Sequence, residues 1–453
     1  MQEGYYKFSK YNFYYEKNKE LYILNLLSGG FGKVKKEFHN EIINNKDQLI
    51  FEALDEQLMA DLLRARIIIP ANYSEINQIK ALHYQQRYQN SKSQGVTIVP
   101  TLACNFSCPY CFENGNKRNL YMDDKTADVT VKYIRDLMND KKSLSLSWFG
   151  GEPLLAFNRI IDIQKKINYL SKEKSFSVSS SIITNGYLMT KDVSAELLNI
   201  GIHSVQITID GTRDMHNKSR VLLDGGGTYD RIKKNILEAP SDLEISIRIN
   251  ISRKNIGDVY EFVRNIQEEG FFRKNFHIHF SPVRDFSISK TTASDCMPIE
   301  EFAKHEVALY KELINSGLKM IEKKIQPNLS NCGAISNNSI LIEPDGSLQR
   351  CWNNVGEKGK SIGSIFQKYP EKLEKNSVRS LEVEREFEMR NLEWTLWDPF
   401  EHQKCIECKL LPLCMAGCPY YSINKKESQF VYNCSALKHN INEMIELMVS
   451  KEE

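Results

Sequence analysis

The sequence predicts an α/β protein in which six β/α units form a parallel sheet, with a small module before the sheet and a cysteine-rich region after it. Three observations predict this fold. Apolar, β-branched runs alternate with amphipathic helical stretches between residues 95 and 280. Two short strand patterns and two helical patterns precede them. Ten of the 11 cysteines fall into two groups, at 104–111 and at 332–434.

The composition is that of an ordinary globular protein, with 41% hydrophobic and 26% charged residues among 453. The net charge of +2 gives no single-sign field of the kind that favours nucleic acid or anionic membranes. No apolar run reaches the roughly 18 residues that a bilayer span needs, and the N-terminus lacks a signal-peptide pattern. We therefore expect a cytoplasmic protein without nucleic-acid or membrane partners, whose clustered cysteines are metal or cluster ligands.

The first part of the chain predicts a winged-helix-like module. Residues 11–16 and 21–27 are typical of two strands joined by a polar turn. Residues 55–65 predict a helix that runs into an apolar stretch and ends at Pro70. The polar helical stretch 74–94 is interpreted as a linker. A nucleic-acid-binding winged helix is the alternative, and the scarcity of clustered Lys and Arg is evidence against it.

The predicted sheet consists of six strand patterns with helical patterns between them. The strand patterns are 96–101, 144–149, 178–183, 205–209, 245–251 and 276–280. The helical patterns are 127–138, 160–170, 193–200, 229–237 and 259–266. Six units fall short of the eight that close a TIM barrel, so we expect a partial (β/α)6 TIM-like barrel. A further helical pattern leads from it into the cysteine-rich region.

The first cysteine group, Cys104, Cys108 and Cys111, has the spacing C-x3-C-x2-C and follows the first strand. Three thiolates can hold three irons of a [4Fe–4S] cluster and leave the fourth iron open to another ligand. The loop would lie at the carboxyl end of the sheet, where open α/β folds bind ligands. The residues alone leave a zinc knuckle or a chance cluster as alternatives.

This pattern resembles the signature of the radical S-adenosylmethionine (SAM) superfamily. The resemblance implies that the open iron chelates SAM and that Phe112 packs beside the adenine. The segment Gly150-Gly151-Glu152 before Pro153 resembles the family's GGEP motif, which contacts the SAM amino group. Glycines allow a close backbone approach, although the residues alone would favour a plain turn.

Other segments resemble the same family at the predicted strand ends. By position, Thr208 and Arg220 are candidates for contacts with the SAM ribose or carboxylate. A turn-capping role, or one in positioning the residues that contact SAM, is at least as well supported for the polar residues near them, which are Asn185, Asp210 and His216. Arg248 and Asn250 share one face of the fifth strand, and we expect that face to point inward.

The second cysteine group has the spacing C-x13-G-x4-C, then C-x2-C-x5-C-x3-C, then one last cysteine. This resembles the SPASM domain of peptide-modifying radical SAM enzymes. The resemblance implies two auxiliary clusters, and so three [4Fe–4S] clusters in all. The outer cluster would be held by Cys405, Cys408, Cys414 and Cys434, and the inner one by Cys332, Cys351 and Cys418. A pair of structural zinc sites is the alternative.

The inner cluster lacks an assigned fourth ligand. The one spare cysteine is Cys296, which is more typical of a small hydrophobic residue. Without it, the inner cluster has an open iron to which a substrate thiolate could bind. Sulfatase maturases of this group carry an Asp base directly after the second SPASM cysteine, but here Cys351 is followed by Trp352. The sequence therefore disfavours formylglycine formation, and it identifies no general base.

The whole chain resembles a SPASM-type maturase of ribosomal peptides, of the type that forms cysteine thioethers. The resemblance implies a precursor peptide whose leader is captured as an added strand, and an electron donor such as flavodoxin or ferredoxin. A 5′-deoxyadenosyl radical from SAM would abstract a hydrogen from a peptide carbon, and a cysteine thiolate would capture the carbon radical. The implied domains are a peptide-recognition domain (1–85), a radical SAM partial barrel (86–300), a helical linker (301–330) and a SPASM domain (331–453).

Other functions remain open from the sequence. The same class of enzyme could form a carbon–carbon or ether crosslink, or mature a sulfatase. A zinc-stabilised regulatory binding protein is the alternative from a different class.

Overall fold

The structure is a computed structural model. It describes residues 6–40, 42, 49–50, 56–89, 92–113, 115–271, 273, 275–284, 295–317, 325–330, 332–368, 378–424 and 434–449. The chain divides into two compact units, the first from the described parts of 1–89, 322–331 and 398–453, and the second from those of 90–321 and 332–397. The cysteine-rich region contributes to both units. The predicted domain boundaries themselves stay a prediction.

The described secondary structure is as follows. The strands are β1 (Tyr6–Phe8), β2 (Asn12–Lys17), β3 (Glu20–Asn25), β4 (Phe31–Val34), β5 (Leu49–Ile50), β6 (Ile68–Pro70), β7 (Ser93–Ile98), β8 (Ser143–Trp148), β9 (Ser177–Thr184), β10 (Ile202–Thr208), β11 (Glu244–Ile251), β12 (Phe276–Pro282), β13 (Ser339–Ile342), β14 (Ser347–Gln349) and β15 (Gly363–Ser364). The helices are α1 (Glu56–Arg64), α2 (Glu75–Tyr88), α3 (Asp124–Leu137), α4 (Phe157–Lys174), α5 (Lys191–Asn199), α6 (Arg213–Ser219), α7 (Tyr229–Glu238), α8 (Ile256–Arg264), α9 (Ile299–Asn315), α10 (Ile365–Lys368), α11 (Val378–Thr395), α12 (Gln403–Ile406), α13 (Leu411–Cys414), α14 (Pro419–Asn424) and α15 (Leu437–Val449). In the described ranges, none of these helices has the length and apolar character that a membrane crossing needs.

The second unit is built on a sheet in which β7 to β12 are parallel and lie side by side in chain order. The prediction of a parallel sheet made of six β/α units is therefore confirmed. The buried apolar residues of these strands largely alternate with less buried ones, as the four isoleucines of β11 do, so one face of the sheet packs in the core. Helices α3 and α5 begin at side-chain caps, where Asp123 accepts from Thr126 N and Thr190 accepts from Val193 N.

Three strands extend this sheet beyond β7. Strand β13 pairs with β7 in parallel, from Ser339 opposite Gly95 to Ile342 opposite Ile98. Strands β14 and β15 then add in antiparallel order. The sequence predicted few strands after residue 324, because each of these is two to four residues long. The C-terminal region thus contributes directly to the sheet that carries the first cysteine loop.

Helix α9 lies in the stretch interpreted as a linker. It packs against α8 and β12 and buries Phe302, Leu309 and Tyr310. The Tyr310 ring meets Phe280 of β12 edge-on, with centroids 5.1 Å apart. Helix α9 therefore covers the sheet after the sixth strand, in the position that a sixth β/α unit requires.

The first unit contains the predicted hairpin, β2 paired with β3, to which β4 adds. Residues 68–70, read as the continuation of a helix, instead form β6 and pair with β1. Leu21, Ile23, Leu62 and Ile68 form the core between these strands and α1. The winged-helix-like classification of this module stays a prediction.

Helix α2 occupies most of the stretch interpreted as a linker, 74–94. His83 and Arg87 on this helix are 0% and 1% exposed. His83 Nδ1 lies 2.6 Å from Leu329 O, and Arg87 Nη1 lies 3.2 Å from His83 Nε2. A polar sequence suggested an exposed helix, but these polar groups are buried because they bind one another and the backbone.

Candidate active site

A cavity of about 400 Å³ lies at the carboxyl ends of strands β7 to β12. Every one of these strands, or the segment directly after it, contributes to the cavity wall. The lining residues are Cys104, Phe106, Cys108, Tyr110, Cys111, Phe112, Glu113, Lys117, Phe149, Gly150, Gly151, Ile183, Thr184, Asn185, Gln206, Thr208, Arg220, Arg248, Asn250, Pro282, Val283, Arg284, Trp352 and Asn353. The site is therefore where open α/β sheets bind ligands.

The three cysteines of the first group line this cavity together. Their loop is fixed by Phe106 N, which donates to Cys104 Sγ at 3.4 Å, and by Lys117 Nζ, which donates to Phe106 O at 3.0 Å. Burial raises the pKa of Cys104 to about 12 and also raises that of Cys111, whereas the positive charge of Lys117 opposes the rise in both. Thiols become ligands as thiolates, so Lys117 favours the ligand-competent state.

These residues fit a [4Fe–4S] cluster with one open iron. Three thiols on one wall supply three ligands, and no fourth cysteine is among the residues that line the cavity. Among the described residues, no group of three or more His, Cys, Asp or Glu side chains converges as a single metal ion requires. Cysteines of a cluster bind separate irons and need not converge on one point, unlike those of a tetrahedral zinc site.

The glycine pair after β8 positions the cysteine loop. Gly150 has φ +140°, and a Cβ at this residue would lie 2.5 Å from Thr101 O. A Cβ on Gly151 would lie 2.3 Å from Ala103 O. Glu152 N donates to Ala103 O at 2.8 Å. The close approach that requires glycine is therefore to the backbone that leads into Cys104.

The Glu152 side chain lies behind the cavity wall, although the sequence suggested a contact with SAM. It is fully buried and accepts from Thr184 Oγ1 at 2.6 Å, Asn185 N at 2.7 Å and Leu154 N at 3.0 Å. Burial raises its pKa, and these hydrogen bonds oppose the rise. Glu152 therefore ties the end of β8 to the end of β9, and it is not among the residues that line the cavity.

Three aromatic rings form one side of the cavity. Phe112 stacks on Phe149 with centroids 6.3 Å apart and planes 6° apart. Phe149 stacks on Trp352 with centroids 4.8 Å apart. The Trp352 indole Nε1 donates to Thr97 Oγ1 at 3.2 Å. The sequence singled out Phe112 and Trp352 separately, and the structure joins them through Phe149.

Arg220 belongs to a buried hydrogen-bonded network that includes Tyr110 of the cysteine loop. Its Nη1 donates to the Tyr110 hydroxyl at 2.8 Å, and that hydroxyl donates to Asp210 Oδ2. Asn250 N donates to Asp210 Oδ1 at 3.2 Å. Burial alone would lower the pKa of Arg220, but Tyr110, Cys108 and Asp210 raise it above its usual value. Arg220 is therefore a fixed cation in the wall of the cavity, which the predicted SAM-contacting residue Thr208 also lines.

His216 supports Arg220 from behind. Asp210 N donates to His216 Nδ1 at 3.4 Å, so Nε2 carries the proton and reaches Thr228 Oγ1 at 3.1 Å. Thr228 Oγ1 in turn donates to Arg220 O at 2.5 Å. Burial and the charge of Arg220 lower the pKa of His216 well below its usual range, so the ring is neutral. The expected positioning role fits this geometry.

The cavity contains two residues that the sequence reasoning expected to point inward and others that it missed. Arg248 and Asn250 point inward, with Arg248 Nε donating to Asn250 Oδ1 at 2.8 Å. Glu113, Lys117 and Arg284 also line the cavity and were not singled out. Burial raises the pKa of Glu113 to about 8. The available signal for Glu113 and Lys117 was their position directly after the cysteine motif.

The cysteines predicted for the outer cluster lie in the first unit. Burial raises the pKa of Cys405 to about 11, and the neighbouring cysteines Cys414, Cys408 and Cys434 raise it further. Lys438 Nζ donates to Cys434 Sγ at 3.6 Å. Four mutually interacting cysteines fit the predicted outer cluster.

The ligands predicted for the inner cluster are assigned to both units. Cys332 and Cys351 belong to the second unit and Cys418 to the first. This ligand set therefore stays a prediction, as does the open iron that depends on Cys296.

Comparison with known proteins gives a match to the Radical SAM superfamily over residues 98–266. The cysteine-type anaerobic sulfatase-maturating enzyme of Clostridium perfringens strain 13 is 24% identical over 358 residues, 74% of this chain and 91% of that protein. The radical SAM cyclopropyl synthase TigE of Paramaledivibacter caminithermalis is 23% identical over 393 residues, 78% of this chain and 74% of that protein.

Two solved structures share the fold. Native anSMEcpe with bound AdoMet and Cp18Cys peptide superposes with a TM-score of 0.58 at 19% identity, covering 79% of this chain and 99% of that one. Streptococcus suis SuiB bound to precursor peptide SuiA superposes with a TM-score of 0.51 at 14% identity, covering 95% of this chain and 99% of that one.

Proposed function

Residues 98–266 form a radical SAM domain, so the chain is a radical SAM enzyme, and we propose that it installs a cysteine thioether in a ribosomally made precursor peptide. One observation carries the radical chemistry. Cys104, Cys108 and Cys111 line a single cavity at the carboxyl ends of six parallel strands, with Phe112 and the Gly150-Gly151 pair in its wall. This is the arrangement that the family signature implies.

The wall residues have separable roles in this proposal. SAM on a reduced cluster at the three cysteines would supply a 5′-deoxyadenosyl radical, which removes hydrogen from carbon. Phe112, Phe149 and Trp352 cover one side of the cavity with stacked rings and so limit the entry of water. Arg220, held by Tyr110 and Asp210, presents a fixed positive charge to the SAM carboxylate. Thr208 also lines the cavity.

The peptide substrate is supported by the relatives and by the first unit. The solved structures that share the fold include proteins bound to peptides. The first unit contains two small sheets, in the orders β5-β1-β6 and β2-β3-β4. The end strands of such sheets present main-chain groups to which a leader peptide could add as a further strand. We propose that the first unit binds the leader in this way.

The identity of residue 352 favours a thioether product over an oxidised serine or cysteine. A carboxylate base follows the second SPASM cysteine in sulfatase maturases, as the resemblance implies. Here that position is Trp352, whose indole packs on Phe149 and bonds to Thr97. A thioether requires the loss of a hydrogen atom from carbon, which the 5′-deoxyadenosyl radical would take, and of a proton and an electron as the cysteine thiolate captures the carbon radical. An auxiliary cluster would accept that electron, and no carbonyl forms. Two auxiliary clusters in the cysteine-rich region, three clusters in all, complete the proposal.

Oxidation without a crosslink is the second candidate. The relatives include a sulfatase-maturating enzyme, and one carboxyl side chain, Glu113, lines the cavity. A buried carboxyl in the wall is a possible proton acceptor for such a reaction.

The proposal is tested by mass spectrometry of a cysteine-containing peptide that is encoded next to the enzyme and coexpressed with it. A thioether lowers the mass by two hydrogens per link and prevents alkylation of the linked cysteine. Coexpression with the Cys108→Ala variant provides the unmodified control. Freely alkylatable cysteines in a modified peptide would exclude the thioether, and an unlinked oxidised residue would support the second candidate.

Anaerobic purification separates the enzyme from the zinc-stabilised binding protein. Brown protein with about twelve irons agrees with three clusters. Colourless protein with stoichiometric zinc contradicts the proposed function.

A further inference from the structure

The cavity wall carries an excess of positive charge. Its cationic side chains are Lys117, Arg220, Arg248 and Arg284, and Glu113 is its one carboxyl side chain among the described residues. Buried cations without anionic partners are costly, and such clusters in clefts are typical of sites for anionic ligands. The question is which of these cations have partners in the protein.

Two of them do. Lys117 Nζ donates to Phe106 O, and the thiols of Cys104, Cys108 and Cys111 raise its pKa. Its charge is therefore directed to the cysteine loop. Arg220 donates to Tyr110 and is balanced by Asp210 behind it. Of the two, Arg220 is also the residue that the family resemblance assigns to SAM.

Arg248 has no such balance. In the described part of the chain it forms no ion pair, and its side-chain hydrogen bond goes to the neutral amide of Asn250 at 2.8 Å. Burial lowers its pKa, Tyr110 and Asp210 oppose that effect, and the nearby cations Arg220 and Arg284 lower it further. Asn250 fixes Nε, so the two terminal nitrogens of the guanidinium remain for a ligand in the cavity.

Arg248 and Arg284 also lie apart from the cysteine loop in the order of the sheet. The loop follows β7, Arg248 is on β11, and Arg284 follows β12 at the other end of the parallel series. The predicted contacts of SAM come from residues after β7, β8 and β10. The ends of β9, β11 and β12 are therefore left for the substrate, and among the described residues there, only β11 and the segment after β12 contribute cationic side chains to the wall.

We propose that Arg248 forms a carboxylate-binding subsite to which the nearby charge of Arg284 adds, so that the peptide residue presented to the radical site is acidic or is next to an acidic residue. The inference rests on the proposed function, because it assumes that a peptide enters this cavity. A planar guanidinium binds a carboxylate through two parallel hydrogen bonds, which fixes the position of the peptide as well as its charge. An aspartate or glutamate side chain and a C-terminal carboxylate share this chemistry.

Binding of small probes to the full-length, reconstituted enzyme with SAM tests the subsite without turnover. N-acetyl-aspartate N-methylamide and its asparagine counterpart differ by one charge at almost equal size. Ligand-observed NMR titration should show the acid binding about tenfold more tightly than the amide. N-acetylalanine, compared with its methylamide, reports on a C-terminal carboxylate. The pair with the larger preference identifies the source of the carboxylate.

The Arg248→Gln variant should remove most of this preference and retain SAM binding, and Arg284→Gln should weaken the preference in the same direction. Arg213→Gln is the matched control, because Arg213 pairs with Asp230 on the surface and does not line the cavity. Equal binding of acid and amide, or no detectable binding of either, would contradict the subsite. So would an Arg248→Gln variant that loses SAM binding and keeps the preference. Failure of the proposed function is distinguishable, because it appears as an unmodified precursor peptide.

Discussion

The two cysteine regions of this chain rest on different supports. Cys104, Cys108 and Cys111 follow a strand inside a nine-stranded sheet and line a cavity formed by its strand ends. Cys405, Cys408 and Cys414 lie on or between helices of four residues each. The sheet can hold the first loop in place by itself. The second region has little regular structure, so we expect it to obtain its order from a bound cluster.

The two cysteine regions also differ in backbone conformation. Between Cys414 and Cys418 three successive residues have positive φ, with Met415 at 44°, Ala416 at 62° and Gly417 at 79°. A left-handed conformation costs about 1–2 kcal/mol for each residue other than glycine. Within the described residues 104–113 none has positive φ. Of the two cysteine regions, the second therefore carries this strain within the described residues, and its fold is the one expected to depend on metal.

The largest expected effect comes from removing one ligand of the first region. Cys108→Ala should abolish SAM cleavage, because one iron of the cluster loses its protein ligand. The free energy of unfolding should change by no more than about 1–2 kcal/mol, because the sheet supports the loop. Chromatography of 5′-deoxyadenosine and a denaturant titration measure the two quantities. Global unfolding of this variant would contradict the comparison, because it would show that the fold around the first region also depends on a bound cluster.

Removing one ligand of the second region should instead loosen the fold. Cys414→Ala is expected to destabilise the first unit by several kcal/mol, as the loss of a structural metal does. Hydrogen exchange should rise in α13 and α14, while amides of β8 to β11 stay protected. Iron analysis would confirm that the variant has lost the outer cluster. If hydrogen exchange then showed both units equally protected, the second region would not depend on its cluster for order.

The rigidity of the first region can be tested at its glycine pair. Gly151→Ala places a Cβ 2.3 Å from Ala103 O and 2.7 Å from Ala103 C, and both are backbone atoms. We expect a loss of about 3 kcal/mol and a fall in Tm of several degrees. Gly257→Ala is the control, because a Cβ there has no neighbour within 4 Å and Gly257 lies in α8. A tolerated Gly151→Ala would mean that the loop can shift.

The stability of the second unit, which contains the nine-stranded sheet, should also depend on pH. Burial raises the pKa of Glu343, just after β13, from 4.5 to about 7. Between these values the folded state holds a proton that the unfolded state has lost, so stability falls as pH rises, by up to about 1.4 kcal/mol per pH unit. Glu343→Gln keeps the hydrogen bond from Gly356 N and cannot titrate. Denaturant titrations across this range should be flatter for the variant, and parallel curves would contradict the assignment.

The smallest expected effect is the change in stability when alanine is replaced by glycine in the strained turn. This change should be opposite in sign to that of the same replacement in a helix. Ala416→Gly should be neutral or stabilising by up to about 1 kcal/mol, since glycine adopts positive φ without the steric cost. Ala308→Gly in α9 should lose about 1 kcal/mol, as glycine does in a helix interior. Thermal melts of both variants provide the comparison. Destabilisation of similar size at both residues would show that the turn is not strained.

The sequence was informative where the determining pattern is local. The six strands were predictable because each is a short segment rich in apolar residues that alternates with helical patterns, and the cysteine loop because its spacing is contained within eight residues. The shared face of Arg248 and Asn250 followed from the two-residue period of a strand, and the structure confirms the expectation that this face points inward. Each of these features depends on neighbours in the chain.

The rest depends on contacts between distant residues. Trp352 joins the aromatic wall through Phe149, about 200 residues earlier. The buried carboxylate of Glu152 binds the end of another strand, which no local pattern shows. Helix α2 looked like a linker because most of its buried side chains are polar, and two of them, His83 and Arg87, form a hydrogen bond with each other. Their burial required knowledge of the partners.

The pairing of β13 with β7 has a consequence for the order of events during synthesis. These strands are separated by about 240 residues. At about 5–20 residues per second, β7 waits on the order of 10–50 s for its second neighbour to leave the ribosome. Throughout that interval its outer edge carries unpaired amides and carbonyls, which can bind other chains. The first cysteine loop is thus made early and gains its full support late, so a cluster inserted during translation would be placed on a sheet with an open edge.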